Sequence, residues 1–138
     1  MLRLSVFLVA ALSLGCAANM PRDWKRVYAA GPFAVDVPAD AQHLSQEGID
    51  VDWHEYVTRD LTISCGYGWH VGCNPKGAER TTVSGQPGSI SVTKLAHPDA
   101  MKYEGELCVR LKMNTLNVSV RGKSEDLVLR VLHSVGIP

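Results

Sequence analysis

The chain has 138 residues, 14 of them basic and 14 acidic, and 46% of it is hydrophobic. Nucleic acids are bound through rows of unopposed lysine and arginine, so a balanced charge of this kind argues against DNA or RNA as a partner. Without a leader, about 120 residues remain, the size of one domain around one core, and no internal repeat or low-complexity tract divides them.

The opening "MLRLSVFLVAALSLGCAANMP" carries one positive charge at Arg3, an apolar run from Leu4 to Leu14, and small residues at Gly15, Ala17 and Ala18. That order predicts a secretory signal peptide over residues 1–15. The run of about 11 residues is well short of the roughly 20 that a membrane-spanning helix needs. "LSLGC" resembles the bacterial lipobox, in which the cysteine becomes a lipid-bearing N-terminus, although Ser13 stands where leucine is preferred. Lipidation of Cys16 is therefore expected, and a soluble product cut near Ala17 or Ala18 is the alternative. With palmitate-type acyl and diacylglycerol chains together on Cys16, membrane residence would be stable, because anchoring takes more than one chain. Ala17 after the cysteine resembles the default for delivery to the outer membrane, so the expected location is the periplasmic side of a bacterial envelope. Residues 16–26 read as the lipidated N-terminus and a tether, with Pro21 breaking the signal helix.

A single domain is expected over 27–138. "GPFAVDVPAD" alternates Phe33, Val35 and Val37 against Ala34 and Asp36, the period of a half-buried strand, and Pro38 ends it. The stretch 39–48, "ADAQHLSQEG", reads as either a short helix or a loop. "VDWHEYV" puts Val51, Trp53 and Val57 on one face and Asp52, His54 and Tyr56 on the other. A turn at Arg59 and Asp60 then leads to "LTISCGY", with Leu61, Ile63, Cys65 and Tyr67 on one side, completing a hairpin. A second hairpin is predicted where "ERTTVSG" and "GSISVTKL" flank "GQPG". In a third, "ELCVRLKM" alternates Leu107, Val109, Leu111 and Met113 against Glu106, Cys108, Arg110 and Lys112, and turns at Asn114 into "TLNVSVR" with Leu116, Val118 and Val120. "KSEDLVLRVLHSVGIP" closes the chain as a helix. Ser124 caps it, Glu125 and Asp126 suit its positive end, Leu127, Val128, Val131, Leu132 and Val135 form one stripe, and Gly136 and Pro138 stop it. Clean alternation is the habit of antiparallel sheets with one buried face. The predicted class is α+β: an antiparallel sheet of about six or seven strands with the C-terminal helix packed on one face.

The densest chemistry lies in "CGYGWHVGC", residues 65–73. If Cys16 bears lipid, Cys65, Cys73 and Cys108 remain, and in an oxidising periplasm two of them are expected to pair. The favoured bridge is Cys65 with Cys73, because Gly66, Gly68 and Gly72 let the segment turn back on itself; Cys73 with Cys108 is the runner-up. Seven residues between Cys65 and Cys73 do not match the spacing of thiol oxidoreductases or zinc knuckles, which favours bridging over redox work. No two of His43, His54, His70, His97 and His133 have metal-ligand spacing, so no metal and no cofactor is expected. Asp50, Asp52 and Glu55 read as solvated surface. Without a GxSxG motif or another catalytic signature, no catalytic residue is assigned. Trp69 and His70 on the glycine-flanked loop are candidate partner contacts, since tryptophan is favoured at interface centres, while a Trp69 folded back over the sheet end is the competing expectation. Arg110, Lys112 and Arg121, projecting from the polar face, form a second candidate surface.

Taken in order, the "GPFAVDVP" strand, "GIDVDWHEY" leading into "LTISCGYG", a hairpin, two long strands and a helix running into "LHSV" resemble bacterial lipoproteins of the PsbP-like α/β/α fold. The likeness spans most of residues 28–137. It implies binding and assembly roles, as in a photosystem accessory subunit and a Ran-binding protein, and leans away from catalysis. The expected function is a noncatalytic lipoprotein, membrane-anchored through its N-terminal lipid, that binds a protein partner in the envelope as an assembly factor or toxin-immunity protein. A periplasmic small-ligand binder is the alternative, with a small hydrolase behind it.

Overall fold

The computed structural model describes residues 23–47, 51–73, 78–96 and 101–138. Cys16, the expected signal peptide and most of the expected tether lie outside them, as does His97. The described elements are β1 (Trp24–Ala30), β2 (Phe33–Pro38), β3 (Gln42–Glu47), β4 (Asp52–Val57), β5 (Leu61–Gly68), β6 (Glu79–Val83), β7 (Gln86–Lys94), β8 (Tyr103–Arg110), β9 (Thr115–Gly122) and α1 (Glu125–Ser134). The class is α+β. Seven antiparallel strands form one sheet in the order β3-β4-β5-β9-β8-β7-β6, and β1 and β2 form a separate two-stranded ribbon.

Period-two side chains give the large sheet two unlike faces. One, here the inner face, carries Leu61, Ile63 and Cys65 from β5, Leu107 and Val109 from β8, and Leu116, Val118 and Val120 from β9, all buried. Helix α1 covers the β8–β9 half of this face with Leu127, Val128, Val131 and Leu132, each contributing about 1.5–3 kcal/mol through burial. Its close approach depends on Gly105, where a Cβ would collide with Val128 and lie 2.8 Å from Leu132 Cδ1. The helix starts as expected, with the Leu127 amide donating to Ser124 Oγ at 3.2 Å. The ribbon covers the β4–β5 half with Ala29, Ala30, Phe33, Val35 and Val37, all buried.

The ribbon joins the helix along β2. Ala34 and Gly136 exchange two backbone hydrogen bonds of 2.7 and 3.1 Å, and Asp36 N donates to Ser134 Oγ at 2.9 Å. Arg26 adds a hydrogen bond to the Ser134 carbonyl at 2.9 Å and an ion pair with Asp36 at 3.1 Å. Arg130 lies 4.4 Å above the Trp24 ring, tying the start of β1 to the same helix.

The predicted hairpins β4–β5 and β8–β9 form in the predicted places, and several details change. The first strand begins at Trp24, inside the segment read as tether, and residues 42–47 form an edge strand where a helix or loop was expected. The β6–β7 turn consists of Ser84 and Gly85, both at positive φ (49° and 81°), with Gln86 and Pro87 already in β7. Two such residues make the tight turn whose twist matches a hairpin. Met113 belongs to the β8–β9 turn and is 81% exposed, so the apolar side of β8 ends before it. Asp52, His54 and Tyr56 lie on the inner face, beneath the ribbon, so Asp52 is not simply solvated surface.

Candidate functional site

Strand β5 ends at Gly68, the chain turns at Trp69 and His70, and residues 71–73 run back across the outer face of the sheet. Gly66 makes room for that return. Trp53 covers the glycine, and a Cβ there would lie 2.8 Å from the indole and 3.8 Å from Val71. Asn117 on β9, 8% exposed, donates through Nδ2 to the Gly72 carbonyl at 3.2 Å and takes a hydrogen bond from Ser119 Oγ at 3.3 Å. The return is then locked covalently: Cys73 is bonded to Cys108, with a Cα separation of 5.9 Å.

This pairing overturns the favoured Cys65–Cys73 bridge and selects the runner-up. Alternation on β5 is the reason. Cys65 shares the inner face with Leu61 and Ile63, Cys108 points outward beside Asn117, and Cys73 lies on the outer side. Cys65 is a free, fully buried thiol, pushed up to about 12 by burial, which leaves it neutral and a poor nucleophile.

Loop 69–73 and the β8–β9 turn enclose a cleft of about 380 Å³. Val71, Gly72 and Cys73 form one wall, and Arg110, Lys112 and Met113 stand on the other; among the described residues its lining includes two cations and no acidic residue. Asn114, also on the lining, donates to Tyr67 Oη at 3.3 Å. At the loop's apex Trp69 is 64% exposed and its ring lies 3.7 Å from that of His70, so it has not folded back as a lid. Four of the predicted partner contacts therefore gather at one end of the sheet. Arg121 does not join them. It lies six residues along β9 from Thr115, the residue opposite Arg110, which is roughly 20 Å at a strand's rise, and it pairs with Glu104 at 3.5 Å.

Sequence reasoning missed a second cluster. His54 Nε2 contacts Asp52 Oδ1 at 2.8 Å, His43 Nε2 lies 2.9 Å from His54 Nδ1, and the hydroxyl of Tyr28 and the amide of Gly31 both donate to Asp52 Oδ2. Burial pushes the Asp52 carboxyl up, but hydrogen bonds from Tyr28, Gly31 and His54, together with the His54 charge, outweigh it and hold the carboxyl below its usual range. Burial and the neighbouring Asp52 raise Tyr28 to about 12. An Asp–His pair serves nucleophilic catalysis when the free imidazole nitrogen faces a hydroxyl or thiol; here that nitrogen faces His43. Among the described residues no group of three or more His, Cys, Asp or Glu side chains could hold a metal ion, and no helix is long and apolar enough to cross a membrane.

No protein-family model and no curated protein matches this chain.

Proposed function

We propose that the chain is a noncatalytic module of the bacterial envelope, exported, anchored through lipid on Cys16, and binding a protein partner through the end of the sheet that presents Trp69. The observation that carries this reading is an indole 64% exposed on a loop pinned by a disulfide, beside a cleft with two cations. Tryptophan and arginine dominate binding energy where they are held rigid, because little conformational freedom remains to be lost on association. Exposed Met113 extends the apolar contact, and Arg110 and Lys112 favour a partner with acidic residues beside its apolar anchor. Export is the compartment in which a Cys73–Cys108 bridge persists, which agrees with the leader-like first 15 residues.

The test is affinity capture from solubilised envelopes with the wild-type chain and Trp69→Ala side by side. Wild type is expected to retain a specific protein, and the variant to lose about thirtyfold in affinity or more while melting at the wild-type temperature, as truncation of an interface anchor does. Equal capture by the two proteins would remove this end of the sheet from the interface. The cleft volume also favours a second reading, a small anionic ligand held between Arg110 and Lys112. That reading predicts ligand-dependent thermal stabilisation, abolished in Arg110→Ala but preserved in Trp69→Ala.

A further inference from the structure

The ribbon β1–β2 is held on the sheet from two sides by unlike bonds. On the helix side, the Ala34–Gly136 pair is backbone to backbone and has no group that gains or loses a charge at ordinary pH. On the other side, among the described residues, the hydrogen bonds run through Asp52 and Tyr56. Asp52 accepts from Tyr28 and Gly31 in the ribbon and from His54 in the sheet, while Tyr56 Oη donates to the Tyr28 carbonyl at 2.6 Å. The rings close the arrangement: His43 stacks on Tyr56 at 4.7 Å and 13°, and His54 meets Tyr28 edge-on at 4.9 Å and 85°.

Counting protons along this row gives a rule. The Asp52 carboxylate can only accept, so His54 Nε2 carries a hydrogen and, in a neutral ring, His54 Nδ1 has a lone pair. His43 Nε2 then donates across the 2.9 Å contact, and His43 Nδ1, on an exposed ring, is left for solvent. One added proton at His43 Nδ1 leaves every contact with one donor and one acceptor. It can also pass inward, His43 Nε2–H moving to His54 Nδ1, and the match still holds. Two added protons put N–H against N–H and cation against cation at 2.9 Å, and the contact cannot survive.

We propose that His43, His54 and Asp52 form a pH-sensitive clasp that keeps the Tyr28–Gly31 end of the ribbon on the sheet with zero or one added proton and releases it with two. Among the described side chains, those on the face of the histidine pair are Tyr28 from β1, Asp52 and Tyr56 from β4, and Cys65 and Tyr67 from β5, and of these Asp52 supplies a negative charge. Release is local. The Ala34–Gly136 bridge and the Phe33, Val35 and Val37 packing stay in place and act as the hinge.

Amide hydrogen exchange of the whole chain, followed by NMR from pH 7.5 to 4.5 and corrected for intrinsic rates, tests this. Gly31 is expected to lose about tenfold or more of its protection toward the acid end of this range, while Ala34 and Gly136 keep theirs. His43→Gln can still donate to His54 and cannot become a cation, so its Gly31 amide should stay protected across the same range. Imidazole nitrogen shifts should show both rings protonated only where wild-type Gly31 opens. Wild-type protection unchanged by pH, or lost equally in His43→Gln, would overturn the proposal, the second result by showing that the opening does not need a proton on His43.

Discussion

Besides the helix, two described segments fold back over the sheet, one on each face, and these two returns are fastened by different chemistry. On the outer face residues 69–73 cross β5 and β9 and end in a covalent bond to β8, with Asn117 as the supporting polar contact. On the inner face the ribbon β1–β2 is fastened on one side by backbone pairing with the helix end and on the other by a carboxylate, two phenols and two imidazoles. The first fastening ignores protons and yields to reductant; the second ignores reductant and answers to protons. The surface proposed to meet a partner thus stands on the fixed return, and the surface proposed to open stands on the labile one.

Removing the covalent fastening should give the largest effect. Cys73 and Cys108 are 35 residues apart, and closing a loop of that length is worth about 4 kcal/mol on the chain-entropy account. Cys73→Ser with Cys108→Ser is therefore expected to lower unfolding free energy in urea by ~4 kcal/mol and to free Trp69, seen as lower fluorescence anisotropy. A loss below ~1 kcal/mol would mean that Asn117 and Val71 already hold the loop, and the contrast between the two returns would collapse.

A smaller effect is expected where the ribbon turns. Gly31 has φ +57°, and a Cβ there would lie 2.5 Å from the Tyr67 ring. Gly31→Ala must strain the backbone and push the ring aside, so a loss of roughly 2–3 kcal/mol is expected by urea unfolding. Trp69 anisotropy should not change, because Gly31 packs on the inner face. If it did change, the two returns would be coupled through Tyr67, whose hydroxyl reaches Asn114 at the edge of the cleft.

How much of this the sequence announces depends on whether a segment buries an alternating apolar face. β5, β8, β9 and α1 do, and their positions, their hairpins and the Ser124 cap are legible from residue order alone. β1 and β3 do not. Each pairs along one edge only, β1 buries just Ala29 and Ala30, and β3 offers "QHLSQE", so neither carries an apolar period. Missing β3 hid the histidine pair, since His43 meets His54 only once β3 lies beside β4. The bridge, by contrast, was legible in principle. Alternation already places Cys65 with Leu61 and Ile63 and Cys108 with Glu106 and Arg110, on opposite faces, and a Cys73 returning over the polar face can reach only the latter. Proximity along the chain suggested one partner, and strand parity decided the other.

The smallest expected effect comes from Asp52, and it separates the two fastenings most directly. Its carboxyl lies below the unfolded value of 3.8, so its stabilising contribution is present above that pH and fades as pH falls through the folded value. Asp52→Asn keeps a carbonyl that can accept from Tyr28 and Gly31 but loses the charge, and Asp52 is partly exposed, so water screens much of the difference. A change of less than ~1 kcal/mol is expected at pH 7, with a flatter decline of stability between pH 5 and 2 than in wild type. On the alkaline side Tyr28 acts in the opposite sense. Raised to about 12, it stabilises the fold below its ordinary value of 10.0, and that contribution disappears as pH rises through 12. Cys65 follows the same sign from 9.0 to about 12 through burial alone. Urea unfolding of wild type, Asp52→Asn and the Cys73→Ser/Cys108→Ser pair across pH resolves the matter. The double serine variant should run parallel to wild type at lower stability, and Asp52→Asn should depart from it at the acid end. If the serine variant instead changed the acid slope, protons and the disulfide would be acting on one shared element, and the two returns would not be independent.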